Sequence, residues 1–214
     1  MTDTFKERLL SQFTDKNPVI FITGTDTDIG KTVVSGVLTK QLGFDYWKPI
    51  QCGELDSLDS DFVRSLIDPS KTTIHKENVL LQTPASPHLA AKLENRKLTT
   101  SDFDLPTRTN GLVMEGAGGI IVPINEEGLT IYDLIQEKAD GVILVTKHYL
   151  GSLNHTLLSI DKLKQGNVPI IAVVFNGDSN EESEKIIMKM NPDIVNWLRL
   201  PLSEDLANES LTFL

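Results

Sequence analysis

The stretch from Val19 to Gln41 constrains this chain more than any other. Four apolar residues, Val19-Ile20-Phe21-Ile22, run directly into Gly24-Thr25-Asp26-Thr27-Asp28-Ile29-Gly30-Lys31-Thr32, and a helix-forming run, Val33–Gln41, follows. A short continuous apolar run is the pattern of a strand covered on both faces, and a covered strand followed by a helix belongs to a parallel sheet. Between them, glycines at both ends of a polar loop let the backbone turn sharply, and Lys31-Thr32 stands where the helix begins. This is the order of a phosphate-binding P-loop. Its backbone N–H groups and the helix N-terminus cradle phosphates, Lys31 neutralises β/γ charge, and the Thr32 hydroxyl sits on Mg²⁺. The loop departs from the usual spacing, with five residues rather than four between Gly24 and Gly30. The competing reading is a glycine-rich turn capping an ordinary helix; the strand, Gly-Lys-Thr and helix in sequence weigh against it.

The rest of the chain repeats the strand–helix alternation. Strands are expected at Phe44–Lys48, Leu112–Met114, Val142–Val145, Ile170–Phe175 and Val195–Leu200, and helices at Asp61–Leu66, Pro87–Glu94, Ser152–Gln165 and Glu181–Met190, with another after Thr100-Ser101-Asp102. At the N-terminus, Thr4 and Glu7 form a capping box, and Phe5, Leu9, Leu10 and Phe13 share a helical face. Residues 1–17 therefore read as a helical extension ahead of Asn17-Pro18. Residues 68–110, with four prolines, are the least periodic part. The expected architecture is α/β: a P-loop NTPase-type three-layer fold, a mostly parallel sheet with helices on both faces, in a single domain spanning 1–214.

Composition narrows the partners. Thirty acidic against 20 basic residues give a formal net charge of −10. Nucleic-acid binding needs a basic surface that releases counterions, so nucleic acid is not an expected partner, and an anionic membrane surface is disfavoured on the same ground. Cys52 is the only cysteine, so no intrachain disulfide can form and a reducing compartment fits. MTDTFKERLL has no apolar core of signal-peptide length, and the apolar runs are strand-sized. A cytoplasmic protein is expected.

Three strands end in polar or glycine-rich turns, at 23–32, 115–119 and 176–178, and open α/β sheets bind ligands beyond the carboxyl ends of their strands. These turns should meet in one crevice. Glu115 ends a strand as Met-Glu-Gly-Ala-Gly-Gly, where a carboxylate can hold Mg²⁺ or its waters. Asp56, Asp59 and Asp61 form an acidic cluster that reads equally as a solvated loop or as the source of a second metal ligand. Lys48 stands at a strand end before Pro49-Ile50-Gln51-Cys52-Gly53; it either points into the crevice or lies on the surface beside a turn.

The motifs GTDTDIGKT, KPIQCG, TPASPHLAA, MEGAGGIIVP and YLGSLNHT occur in that order, and together they resemble the ATP-dependent dethiobiotin synthetase family from about Ile20 to Pro201. The resemblance implies ring closure of 7,8-diaminopelargonic acid with CO2 and ATP, with Mg²⁺ as cofactor, in a homodimer with active sites near the subunit interface. Lys48 matches the family's active-site lysine, and Lys31 and Thr32 its P-loop pair. Nucleotide contacts are implied for Asp28, Ile29, Gly30, Lys31, Thr32, Val33, Glu115, Gly116, Ala117, Gly118, Asn176 (reading adenine) and Pro201. Substrate contacts are implied for Thr27, Lys48 and Cys52, and for Leu150, Gly151 and Asn154 on a loop reaching into the partner's site. Thr32, Glu115 and Asp61, aligned through Asp-Ser-Asp-Phe, would surround Mg²⁺. The chain departs from the family at Cys52, where a hydroxyl is usual, at Asp28 and Gly177, and over Thr146–Tyr149. Three rival classes fit less well. A membrane-positioning or partitioning ATPase carries an additional lysine early in its P-loop and often ends in a basic amphipathic helix, whereas this tail is acidic. A catalytically silent scaffold would have lost Lys31, Thr32 or Glu115. A small-molecule kinase is disfavoured by EGAGG together with KPIQCG.

Overall fold

The computed structural model describes residues 4–15 and 17–214; residues 1–3 and 16 of the expected extension lie outside the described residues. The first helix, α1 (Phe5–Leu10), starts at the expected capping box: the Thr4 hydroxyl accepts from the Glu7 N–H and the Glu7 carboxylate accepts from the Thr4 N–H. It buries Leu9 and packs the Phe5 ring, tilted, against Phe213 at a centroid distance of 5.2 Å.

The strands are β1 (Val19–Gly24), β2 (Asp45–Trp47), β3 (Ile50–Cys52), β4 (Ile74–His75), β5 (Val79–Leu81), β6 (Leu112–Gly119), β7 (Gly141–Thr146), β8 (Ile170–Asn176), β9 (Trp197–Leu200) and β10 (Thr212–Phe213). Eight form one sheet in the order β10-β9-β8-β7-β1-β6-β2-β4, parallel except for the edge pair β9/β10; β3 and β5 pair separately. The remaining helices are α2 (Lys31–Leu42), α3 (Asp59–Leu66), α4 (Pro87–Leu93), α5 (Ile131–Lys138), α6 (Ser152–Gln165) and α7 (Glu181–Met190).

Side-chain alternation along the strands builds a core on each face of the sheet. Ile20 and Ile22 of β1 pack with Val34, Val37 and Leu38 of α2 and Val63 of α3. Val19 and Phe21 pack on the opposite face with Leu134 and Ile135 of α5, Ile160 and Leu163 of α6 and Ile187 of α7. The mostly parallel, two-faced α/β architecture expected from the sequence is the one observed.

Several elements differ from expectation. The segment after Thr99 is a 3-10 turn, Thr100–Phe103, rather than an α-helix. The helix expected from Asp61 begins at Asp59. β6 does not stop at Glu115. Ile22 pairs with Glu115 and Gly24 with Gly119, so the two strands fall out of step and residues 116–118 bulge before pairing resumes.

The chain order explains where a ligand fits. From β1 the chain crosses through α2 to β2, on one side; from β6 it crosses through α5 to β7, on the other. The connections diverge beside β1, and the carboxyl ends of β1 and β6 frame the resulting crevice.

Candidate active site

The crevice has a volume of about 770 Å³ and is lined by the P-loop, the ends of β2, β3 and β6, and the turn leading into α4. Asp28 and Gly30 both have positive φ, at 55° and 91°, which bends the loop around its own N–H groups. Asn176, at the end of β8, holds the loop from outside: its side-chain N–H donates to the Ile29 carbonyl at 2.8 Å. A Cβ at residue 30 would overlap that amide, so glycine is required for the close approach as well as for φ. The Thr25 N–H donates to the Val145 carbonyl at 3.1 Å, tying the loop to the adjacent strand.

Lys48 leaves β2 on the same face as Tyr46, and parallel pairing of Tyr46 with Val113 brings Lys48 level with Glu115. The Lys48 ammonium donates to Glu115 Oε1 at 3.1 Å and is ion-paired with Asp59 at the start of α3. The Thr32 hydroxyl donates to the same Glu115 oxygen at 2.8 Å, and the Tyr46 hydroxyl donates to Glu115 Oε2 at 2.8 Å. Glu115 is fully buried, and an isolated buried carboxylate would be costly; here three side chains, Lys48, Thr32 and Tyr46, donate to it. Lys31, also buried, donates to the Asp26 carbonyl at 2.8 Å.

The two lysines differ electrostatically. Burial pushes Lys31 down to about 8, partly offset by the Glu115 carboxylate and reinforced by the neighbouring Lys48 charge. Burial also pushes Lys48 down, but Glu115 and Asp59 outweigh it and hold its ammonium above the ordinary value. Burial and the Glu115 charge together push the Tyr46 phenol up, so it remains a donor.

Of the residues singled out from sequence, the crevice gathers Thr27, Asp28, Gly30, Lys31, Thr32, Val33, Lys48, Cys52, Glu115, Ala117 and Gly118. Ile29 is buried in the core under the loop, and the close approach of Gly116 is to the Phe21 ring rather than to the crevice. Asn176 braces the P-loop, and Pro201 is exposed beyond β9. Leu150 and Gly151 line a separate depression, and Asn154 is exposed on α6.

Asp61 is exposed, does not line the crevice and pairs with Arg64 one helical turn on, whereas Asp59, at the first position of α3, lines the crevice and is ion-paired with Lys48. Residues i and i+2 of an α-helix are about 200° apart, so Asp59 and Asp61 leave α3 on different sides. The sequence reading also missed Tyr46, which looks like any apolar strand residue, and the crevice wall formed by Pro84–Pro87. Gly53 shows why that wall lies close: its φ is 74°, and a Cβ there would fall 2.6 Å from Pro84 Cβ.

The oxygen donors fit a small hard cation. Thr32 Oγ1 and Glu115 Oε1 lie 2.8 Å apart at the N-terminus of α2, with the Asp59 carboxylate across Lys48. A hydroxyl, one or two carboxylates and nucleotide phosphates form the usual donor set for Mg²⁺, which keeps several waters.

Fold and site together define a P-loop nucleotide-binding enzyme domain. A family model described as "AAA domain" matches residues 19–210. Among solved structures, the chain is similar to a putative plasmid partition protein from Borrelia burgdorferi bound to AMPPNP, at 14% identity and a TM-score of 0.51, covering 89% of this chain and 87% of that one. At that identity the likeness shows the fold. The sequence relatives are more specific. The ATP-dependent dethiobiotin synthetase BioD of Christiangramia forsetii is 46% identical over 170 residues, 79% of this chain and 81% of that protein. The BioD of Brucella ovis is 40% identical over 195 residues, covering 91% of each. The chain belongs to the ATP-dependent dethiobiotin synthetase family, a family of ligase-type enzymes of biotin biosynthesis.

Proposed function

We propose that this chain, as a single P-loop domain, closes the ureido ring of dethiobiotin from 7,8-diaminopelargonic acid, CO2 and ATP, releasing ADP and phosphate. Family membership supports the overall reaction, and the meeting of Lys31, Thr32, Lys48 and Glu115 at the P-loop is the observation that carries it. One substrate amine adds to CO2 and loses a proton, giving a carbamate. A carbamate oxygen attacks the γ-phosphorus in line and ADP departs, leaving a carbamic–phosphoric anhydride. The second amine attacks the anhydride carbonyl, phosphate leaves, and the five-membered ring is closed.

The chain's own part is positioning and charge neutralisation. P-loop N–H groups and Lys31 hold the β- and γ-phosphates. Lys48 stands between the Glu115 and Asp59 carboxylates, which fix its ammonium at the crevice wall where carbamate and γ-phosphoryl oxygens would meet. Thr32, Glu115 and Asp59 would hold Mg²⁺, which would supply charge neutralisation to the nucleotide phosphates. Thr27 and Cys52, both lining the crevice, would meet the diamine. We further propose a cytoplasmic homodimer: Leu150 is fully exposed at the start of α6, outside its own chain's crevice, as a loop completing a partner's site would be. Among the described residues no helix is long and apolar enough to cross a membrane.

The test is phosphate release measured with ATP and Mg²⁺ while diaminopelargonate and bicarbonate are each omitted in turn. Release that collapses on omission of either supports the synthetase reading. ATP hydrolysis indifferent to both would overturn it.

A further inference from the structure

Tyr46 lies outside every motif that marks the site, in the strand before Lys48, yet it makes the only hydrogen bond to the second oxygen of Glu115 among the described residues. Both side chains are fully buried. The geometry follows from the strands: Tyr46 pairs with Val113 in parallel register, so the phenol and Glu115 project from the same face of the sheet, and the hydroxyl meets Oε2 at 2.8 Å. Thr32 and Lys48 both donate to the other oxygen, Oε1, at 2.8 and 3.1 Å. The carboxylate is therefore divided, with one oxygen fixed from below and one turned toward the P-loop. A carboxylate without the lower bond could rotate about its last torsion, which is broad and roughly two-fold.

We infer that Tyr46 is a positioning residue that sets the orientation of Glu115, presenting a single oxygen to a divalent cation held with Thr32. The inference rests on the proposed role of Glu115 and adds an outer partner to it. Outer partners of metal-binding carboxylates orient the ligand, and their loss typically costs about 10- to 100-fold in metal affinity or activity. A phenol suits this position because it is uncharged and rigid, and can reach the sheet interior without bringing a second charge there.

The test uses the full chain and Mn²⁺ as a spectroscopic probe. Free Mn²⁺ is counted by electron paramagnetic resonance in the presence of a non-hydrolysable ATP analogue, for the wild type, Tyr46→Phe, Glu115→Gln and the double variant. The expected result is an about 10- to 100-fold rise in the Mn²⁺ dissociation constant for Tyr46→Phe, and little further rise when Tyr46→Phe is added to Glu115→Gln. Unchanged Mn²⁺ affinity in Tyr46→Phe, or an equal loss in both backgrounds, would overturn the inference. If Tyr46→Phe does not fold, Tyr46→4-aminophenylalanine, an isostere that keeps an N–H donor at the ring tip, decides the matter. Wild-type affinity within about threefold supports positioning by hydrogen bond, and a full loss contradicts it. Because metal binding is read without turnover, a failure here is distinct from loss of diaminopelargonate-dependent phosphate release.

Discussion

Two residues on one crevice wall, Lys48 and Cys52, illustrate how neighbouring groups acquire opposite characters. Lys48 is buried between two carboxylates and stays charged; neutralising it leaves those carboxylates facing each other and removes the cation proposed to face the transferring group. Lys48→Gln should lower diaminopelargonate-dependent turnover by about 10²- to 10³-fold, the usual loss for one group stabilising transition-state charge. ATP affinity, set mainly by the P-loop, should change little. Steady-state kinetics together with nucleotide binding would show the split, and wild-type kcat would refute the role. Cys52 is different: burial pushes its thiol up to about 11, offset only in part by Lys48. The thiolate is the reactive form, so alkylation by iodoacetamide at neutral pH should be about two orders of magnitude slower than for free cysteine. The rate should climb steadily as pH rises toward 11. A plateau near the ordinary cysteine value of about 8.5 would contradict this environment. At this scale the sequence was informative where a residue type is rarely used otherwise. Gly-Lys-Thr stood out, Lys48 before Pro49 was open between crevice and surface until the motifs were taken together, and Tyr46 did not stand out, because a tyrosine in a buried strand has no distinguishing neighbour in sequence. Asp59 and Asp61 could not be told apart without knowing where α3 begins.

Among the elements, the P-loop and α2 carry the most constraint. Gly30 is held at φ 91° against the amide of Asn176, which in turn bonds the Ile29 carbonyl. Gly30→Ala meets both the left-handed backbone penalty, about 1–2 kcal/mol, and the overlap with Asn176. The melting temperature should fall by at least about 2–8 °C for a chain of this size, and nucleotide should bind more weakly. A calorimetric melt unchanged from wild type would show that the loop relaxes freely. Long, strongly patterned elements such as α6, α7 and the central strands were legible from periodicity. The paired short strands β3 and β5, three residues each, were not, since their pairing depends on distant chain meeting in space. Nor was the bulge in β6. Its glycines signalled a turn, yet strand pairing resumes at Gly119 because Gly24 lies alongside.

For the whole molecule, acid stability should depend on a cluster outside the crevice lining. Glu184 of α7 is buried and accepts hydrogen bonds from Arg199 of β9, from His148 after β7 and from the Asn180 N–H. Burial alone would push its carboxyl up; the hydrogen bonds outweigh burial and hold it below the ordinary value. A depressed folded-state value contributes stability above the unfolded value of about 4.5 that is lost as pH falls through the folded value. Denaturant unfolding should therefore show stability dropping below about pH 4.5, with a shallower decline in Glu184→Gln. Identical pH slopes in both proteins would remove Glu184 from the account. The net charge of −10 also takes on a sharper meaning at this scale. It disfavours polyanionic polymers, while one local site, made of Lys31, Lys48 and a helix N-terminus, still suits a small polyphosphate.

ATP cleavage coupled to carbon capture and ring closure, as proposed, has an isotopic readout. The most direct measurement supplies ¹³C-bicarbonate, diaminopelargonate, ATP and Mg²⁺ to the purified protein, then follows phosphate and ring product together by mass spectrometry and NMR. The account predicts one dethiobiotin with ¹³C in its ureido carbonyl for every phosphate released. Phosphate without labelled product would contradict it.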